Sequence, residues 1–363
     1  MKFRSRLVVN LQNLKENFEY LYKDSPSCKT LFMVKADGYG HGILPVVRYA
    51  HTELGISEFG CATIEEAVYL RRELSDLNFD IYVFSDLQLD NPESVEIYTN
   101  ERIFPILSSL EHLDFFLHQE NFKHFPICLK INTGMNRLGI ELSRIQEVIE
   151  RLLRHNRKSI YHLFTHLANS SYSMEKDVYN LEQQKSFKLV QEKFKNSKIE
   201  ISSTSISNSG ALLQSSGLDQ THIRPGLMLY THPKCISRLE TKILQVFEVK
   251  KDTPVGYNSI LCPRDGLVAV LAIGYGDGFS THYSGAHITH QGMPGEIIGR
   301  INMDMTFVLF PTKASTIIKP GDVVAIWGEN EGDLLKFSDE TKTIPYELLC
   351  SLLPRIPRIY RLS

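Results

Sequence analysis

The 363-residue sequence carries no imbalance of charge: 40 basic side chains stand against 42 acidic ones, for a formal net charge of -2. It has no basic stripe, so there is no electrostatic footprint for nucleic acid. Long apolar runs are also missing. No stretch of about eighteen apolar residues occurs, and nothing reads as a membrane-spanning helix. The opening MKFRSR is basic like a signal-peptide n-region, but only LVV follows it, too short for an apolar h-region. The six cysteines, Cys28, Cys61, Cys128, Cys235, Cys262 and Cys350, are dispersed with no CxxC pair. Such usage fits reduced, mostly buried thiols, so a soluble cytoplasmic chain is expected. His282, His287 and His290 cluster without a cysteine or an ordered helix; they read as a polar loop, and no metal site is expected.

What is present is length and alternation. At 42% hydrophobic content the chain can bury a large core, and two domains are expected. Apolar runs rich in β-branched residues occur at TLFMVK, FGCAT, DIYVFS, RIFPIL, FPICLKI, IYHLFTHL, IEISSTSISNS and HIRPGLMLY. Helix-like segments such as IEEAVYLRREL and SRIQEVIERLLRH separate them. Eight strands interleaved with helices point to a (β/α)8 barrel over residues 1–235, with a doubly wound sheet as the rival. Beyond Pro233 the runs TKILQVFEVKK, DGLVAVLAIGYG, GEIIGRINMDMTFVLF and GDVVAIWGE are β-rich and broken by Gly, Pro or Asp. They describe a mainly β domain over 236–363, and the first dozen residues are candidates for an extra strand of it.

In TLFMVKADGYGHG a lysine, Lys35, ends an apolar strand just before an Asp-Gly turn. The C-terminal strand ends of a barrel converge on one face, where chemistry sits. Collecting those ends gives Lys35, Lys130 with Asn132 and Arg137, His166, Asn208 with Ser209, and Arg224 with Gly226. Each alone has a plain structural reading, such as a turn hydroxyl for Ser209, a surface ion pair for Arg224 or a core imidazole for His166. Together they place a lysine nucleophile beside an anion cradle, the layout expected for pyridoxal 5'-phosphate held as a Schiff base.

MVKADGYGHG, KINTGMNRLGI, LFTHLANS, SNSGALL, IRPGLMLYT, LAIGYGDGF, GRINMDM and YELLCSLLPRIPR follow one another across essentially the whole chain. In order and spacing they resemble the alanine racemase family, pyridoxal-phosphate isomerases with a barrel and a β domain. The resemblance implies two-base interconversion of L- and D-alanine, with Lys35 carrying the cofactor and acting on one face of the substrate. Tyr275 would act on the other face. A phenol with a pKa of about 10 needs neighbouring positive charge to ionise near neutrality, and His166 and Arg224 are expected to supply it. Tyr39, Asn208, Ser209 and the backbones of Gly226 and Leu227 would hold the cofactor, its phosphate above all, while Arg224 would donate to the ring nitrogen. Arg137 would meet the cofactor oxygen or the substrate carboxylate, and Met303 and Asp304 would line the carboxylate end. Lys130 corresponds to a lysine that some members carry carbamylated. Tyr275 and Met303 would come from a second subunit, making a homodimer, and the product would be D-alanine for peptidoglycan.

Three departures accompany the resemblance. Ser205 stands where a histidine usually supports the ring-nitrogen arginine. Pro354 replaces the tyrosine of the C-terminal motif, and VGYNS differs at Gly256 and Asn258. The loss at Pro354 leaves a broader amino-acid specificity, reaching serine, as an alternative. A basic amino-acid decarboxylase and a non-catalytic cofactor-binding homologue are the others.

Overall fold

The computed structural model describes residues 3–25, 27–170 and 177–362. The chain enters on strand β1 (Ser5–Asn10) and then builds β2 (Lys29–Met33), β3 (Glu58–Thr63), β4 (Asp80–Asp86), β5 (Ile103–Leu107) and β6 (Cys128–Asn132). A two-residue β7 (Ile140–Glu141) precedes β8 (Ser159–Phe164), β9 (Glu200–Ser205) and β10 (His222–Ile223). Apart from β1 and β7, these strands pair in parallel in the order β5-β4-β3-β2-β10-β9-β8-β6, and a β5–β6 pairing closes the ring. The eight apolar runs are therefore the eight staves of a closed barrel, and the open-sheet alternative is ruled out by that last pairing.

Alternation within each stave fills the barrel. Leu31, Tyr82, Phe104, Ile106, Cys128 and Phe164 form a buried cluster, with Met33, Phe84, Phe125 and Tyr161 packed on it. Gly60 makes room for this filling, because a Cβ there would lie 2.6 Å from Met33 Sδ. Helices take up the connections with local signals in place. Thr63 Oγ1 accepts from Glu66 N at the start of the helix Ile64–Glu73, and Ser109 Oγ accepts from His112 N at the start of Leu110–His118.

The chain divides into two compact units. One comprises residues 17–38 and 43–229 and holds the barrel; the other comprises 1–16, 39–42 and 230–363. In the second unit lie β11 (Ser237–Val249), β12 (Pro254–Val255), β13 (Ile260–Leu261), β14 (Gly266–Leu271) and β15 (His287–His290). They are followed by β16 (Met293–Ile298), β17 (Thr306–Phe310), β18 (Val323–Trp327) and β19 (Arg358–Arg361). The main sheet runs β15-β16-β17-β14-β11-β1-β19, with β18 also on β11. Strand β1 pairs antiparallel with β11 and parallel with β19, so the first residues of the chain are a sheet strand here.

Candidate active site

Lys35 follows β2 by two residues and opens a turn of unusual hand. Ala36, Asp37, Gly38 and Tyr39 all have φ between 53° and 60°. Non-glycine residues enter the left-handed region at a cost of roughly 1–2 kcal/mol each, so neighbours must hold them. The Ala36 amide donates to Glu66 Oε1 at 2.7 Å, and Gly38 N donates to the Val34 carbonyl at 2.8 Å. Asp37 Oδ1 accepts from Ile43 N at 2.8 Å, tying the turn to the next helix. Lys35, half-buried, is thereby fixed at the C-terminal end of the barrel.

Three further cations share that end. Lys130 in β6 is buried, with Nζ 6.0 Å from the centre of the Phe164 ring. Burial first, then the charges of Arg137, Arg224 and Lys35, bring its pKa down to about 8. Arg224 lies over the same ring, its Cζ 5.0 Å from the centre. Burial lowers its pKa to about 9, which leaves the guanidinium charged at neutral pH. Its Nη1 donates to Ser205 Oγ, and its Nη2 donates to the Thr165 carbonyl at 2.6 Å. Arg137 is exposed in the loop after β6.

His166 corrects an expectation. Burial, followed by Arg224, Arg137, Lys130 and Lys35, pushes its pKa well below the ordinary value. The imidazole is neutral at pH 7 and supplies no positive charge to a phenol; burial first, and then the cations gathered around it, discharge it. Asn208 Nδ2 lies 3.3 Å from His166 Nε2, and Asn208 Oδ1 caps the helix Ser209–Leu213 by accepting from Ala211 N. Ser209 Oγ accepts from Gly226 N at 2.9 Å and from Met228 N at 3.2 Å. Leu227 stands between those two amides. Lys35, Lys130, Arg137, His166, Asn208, Ser209, Arg224, Gly226 and Leu227 thus all belong to the barrel's C-terminal face.

Tyr39, Tyr275, Met303 and Asp304 belong to the second unit. Tyr39 is buried, its ring centre 4.9 Å from that of Tyr230 and 5.9 Å from that of Tyr346. Tyr275 opens a tight turn and is 45% exposed, with Met303 53% exposed. The two are neighbours through backbone: Tyr275 N donates to the Asn302 carbonyl and Gly276 N to that of Met303. A Cβ at Gly274 would fall 2.2 Å from the Asn302 oxygen, so only glycine admits this approach. Asp277 is fully buried and pairs with Arg4 at 2.5 Å and Arg355 at 3.3 Å; Arg355 also reaches Asp304 at 2.7 Å.

Residues 9–233 match the model of the alanine racemase N-terminal domain, and residues 236–360 match that of the C-terminal domain. The chain belongs to the alanine racemase family. An alanine racemase of Rickettsia akari is 31% identical, over 98% of each chain. One from Nitrosococcus oceani is 28% identical over 97% of this chain and 98% of its own. The crystal structure of alanine racemase from Bartonella henselae with covalently bound pyridoxal phosphate superposes with a TM-score of 0.86 at 28% identity, covering 99% of this chain and all of that one. Full-length kinship of this kind does not favour a decarboxylase, a serine-directed racemase or a non-catalytic homologue.

Within an alanine racemase framework, sequence reasoning missed Thr165, Met228 and His162. Thr165 and Met228 contribute only backbone atoms, which no side-chain pattern can announce. His162 sits in IYHLFTHL, two residues before Phe164 and four before His166, and that spacing of two was a legible sign of an inward-facing position. The polar loop expected for His282, His287 and His290 is not one: His287 and His290 are the two ends of strand β15, where His287 Nδ1 lies 3.3 Å from Glu340 and buried His290 Nε2 lies 3.8 Å from Asp322. Among the described residues no group of three or more His, Cys, Asp or Glu could hold a metal ion. In PRIPR, Arg355 binds carboxylates and Arg358 donates to the carbonyls of Leu352, Leu353 and Ile356, while Pro354 is exposed.

Proposed function

We infer that the chain is a pyridoxal-phosphate-dependent alanine racemase interconverting L- and D-alanine. The observation that carries this reading is the placement of Lys35 among Lys130, Arg137 and Arg224. Burial first, and then the charges of Arg137, Arg224 and Lys35, lower the Lys130 pKa, and a multiply charged phosphate ester would relieve the repulsion among these cations. The Gly226 and Met228 amides converging on Ser209 Oγ supply donors of the kind a phosphate takes. These residues fit the cofactor.

When bound, pyridoxal phosphate supplies the electron sink that makes the amino-acid Cα–H acidic. Lys35 holds the cofactor covalently and moves the proton at Cα on one face. The partner subunit's Tyr275 moves it on the other, in a two-fold homodimer to which the partner subunit's Met303 also contributes. Asp304 lines the carboxylate end with it. The exposure of Tyr275 and Met303 supports this assignment, because a residue serving a second subunit must lie open on its own. Tyr39, Ser209, Gly226 and Leu227 hold the phosphate, and Asn208 keeps the Ser209 turn in place. His166, neutral, packs against the cofactor ring. Arg137 binds the cofactor oxygen or the substrate carboxylate. Arg224 donates to the ring nitrogen and, keeping its own proton at neutral pH, leaves that nitrogen unprotonated. With that nitrogen unprotonated the electron sink would be weaker, which would favour return of a proton to Cα over stray transfer. The barrel unit, residues 17–38 and 43–229, serves as the cofactor domain, and the other unit, residues 1–16, 39–42 and 230–363, presents Tyr275. We place the enzyme in the cytoplasm, where its product feeds peptidoglycan.

The test is Cα exchange in heavy water with L-alanine, read by NMR for deuterium and by chiral chromatography for the enantiomer. Wild type should incorporate deuterium and accumulate D-alanine. Tyr275→Phe should slow inversion by about 10²–10⁴-fold while exchange through Lys35 persists. No exchange despite bound cofactor would overturn the reading.

A further inference from the structure

Arg224 is only 3% exposed, and its guanidinium is held along one edge. Nη2 donates to the carbonyls of Thr165 at 2.6 Å and Ile206 at 3.5 Å; Nη1 donates to Ser205 Oγ. None of these acceptors is a carboxylate. Because both carbonyls share Nη2, the tilt of the guanidinium plane is set by the single hydroxyl on Nη1.

Ser205 is wholly buried, and its Oγ lies 2.7 Å from His162 Nε2. A hydroxyl has one proton to give and two lone pairs, whereas a guanidinium only donates. Ser205 must therefore accept from Arg224, which leaves its own proton for His162. His162 Nδ1 is buried without a hydrogen-bond partner among the described residues in either polarity; the reverse one, with Nε2–H donating to Ser205, would strand the Ser205 hydroxyl proton as well.

The surroundings of His162 fit an accepting ring. It faces the His222 ring at 5.1 Å, Tyr82 at 5.8 Å and Phe164 at 6.0 Å. The Glu58 carboxylate is taken up by His222 at 3.1 Å and by the Tyr82 hydroxyl at 3.1 Å. Burial, then His222 and Arg224, keeps the His162 pKa well below its ordinary value. An uncharged ring with a free Nε2 lone pair carries its proton on Nδ1.

We propose that Ser205 and His162 are positioning residues for Arg224: His162 Nε2 takes the Ser205 proton, which turns a Ser205 lone pair onto Nη1 and fixes the N–H groups that face the cofactor ring. This inference rests on the reading that Arg224 serves the ring nitrogen. It accounts for the serine that stands where a histidine was expected, since the imidazole is supplied one strand away, from β8 instead of β9.

Three variants test it: Ser205→Ala, His162→Phe and Ser205→Thr, which keeps the hydroxyl. In holoenzyme carrying ring-15N pyridoxal phosphate, the ring-nitrogen resonance should move in the first two and return in Ser205→Thr. The fraction of alanine turnovers ending in pyruvate should rise about tenfold in the first two, equivalent to about 1.4 kcal/mol. An unchanged resonance and pyruvate fraction in Ser205→Ala would overturn the proposal. A second measurement, on the full chain with or without cofactor, is the 15N tautomer of His162. A neutral ring protonated on Nδ1 supports the chain of hydrogen bonds, and a ring protonated on Nε2 refutes it. If the wild type neither binds pyridoxal phosphate nor racemises alanine, the functional reading has failed, and the tautomer still decides the hydrogen-bond polarity.

Discussion

Lys130 shares its end of the barrel with Lys35, Arg137 and Arg224, and its burial together with their charges brings its pKa down to about 8. An unfolded lysine titrates near 10.4. Between about pH 8 and 10 the unfolded chain therefore holds a proton that the native state has shed, and stability gains as pH rises through that window. The urea midpoint of the cofactor-free protein should show this gain, and Lys130→Met should lose it. The same depression leaves a sizeable share of the amine neutral near pH 8, the form that adds CO2 to give a carbamate and a proton. Intact-mass measurement in bicarbonate should find one added CO2 that acid removes and that Lys130→Met never takes up. At this scale the sequence was readable for position, as for Lys35, whose place at a barrel strand end follows from the apolar run before it and the Asp-Gly turn after it. It was misleading for His166, whose charge depends on its burial and on four cations brought together from three strand ends.

The left-handed turn after Lys35 belongs to the scale of the element. Asp37-Gly38 announced a turn, but not that Ala36 and Tyr39 would share its hand, because nothing in their side chains favours positive φ. The explanation is tertiary. Glu66, in the first turn of the next-but-one helix, accepts from Ala36 N with Oε1 and from Ala62 N with Oε2 at 2.8 Å. Glu66→Ala should leave the part-buried Ala62 amide without its acceptor and release the exposed Ala36 amide to water, at a cost of about 1 kcal/mol in urea unfolding. It should lower kcat more than it raises KM, since the displaced group is Lys35. Strand and helix positions were legible because apolar runs of strand length alternated with helical spacing. Closure of the ring by β5 and β6 was legible only as a count of eight.

For the whole molecule, the decisive prediction concerns subunit exchange. Lys35→Ala and Tyr275→Phe are each expected to be inactive in inversion. Mixed and reassorted, they should regain activity, because each heterodimer assembles one site with both bases intact. Failure to recover activity, with exchange verified by native mass spectrometry, would place both bases in one subunit. The fold was readable because the family motifs run the length of the chain, and the role of β1 was readable only as a candidate, since six residues cannot name their sheet partner. The four cations at the barrel mouth carry a consequence for the cell. A protein that gathers so much like charge is at its least stable when empty, and a bound anion adds stability by mass action, about 2.7 kcal/mol at a hundredfold excess over Kd. Differences of that size change how much of a protein escapes proteolysis. Vitamin B6 status would then set how long each molecule survives as well as how many are active, and a starved cell would lose the enzyme itself.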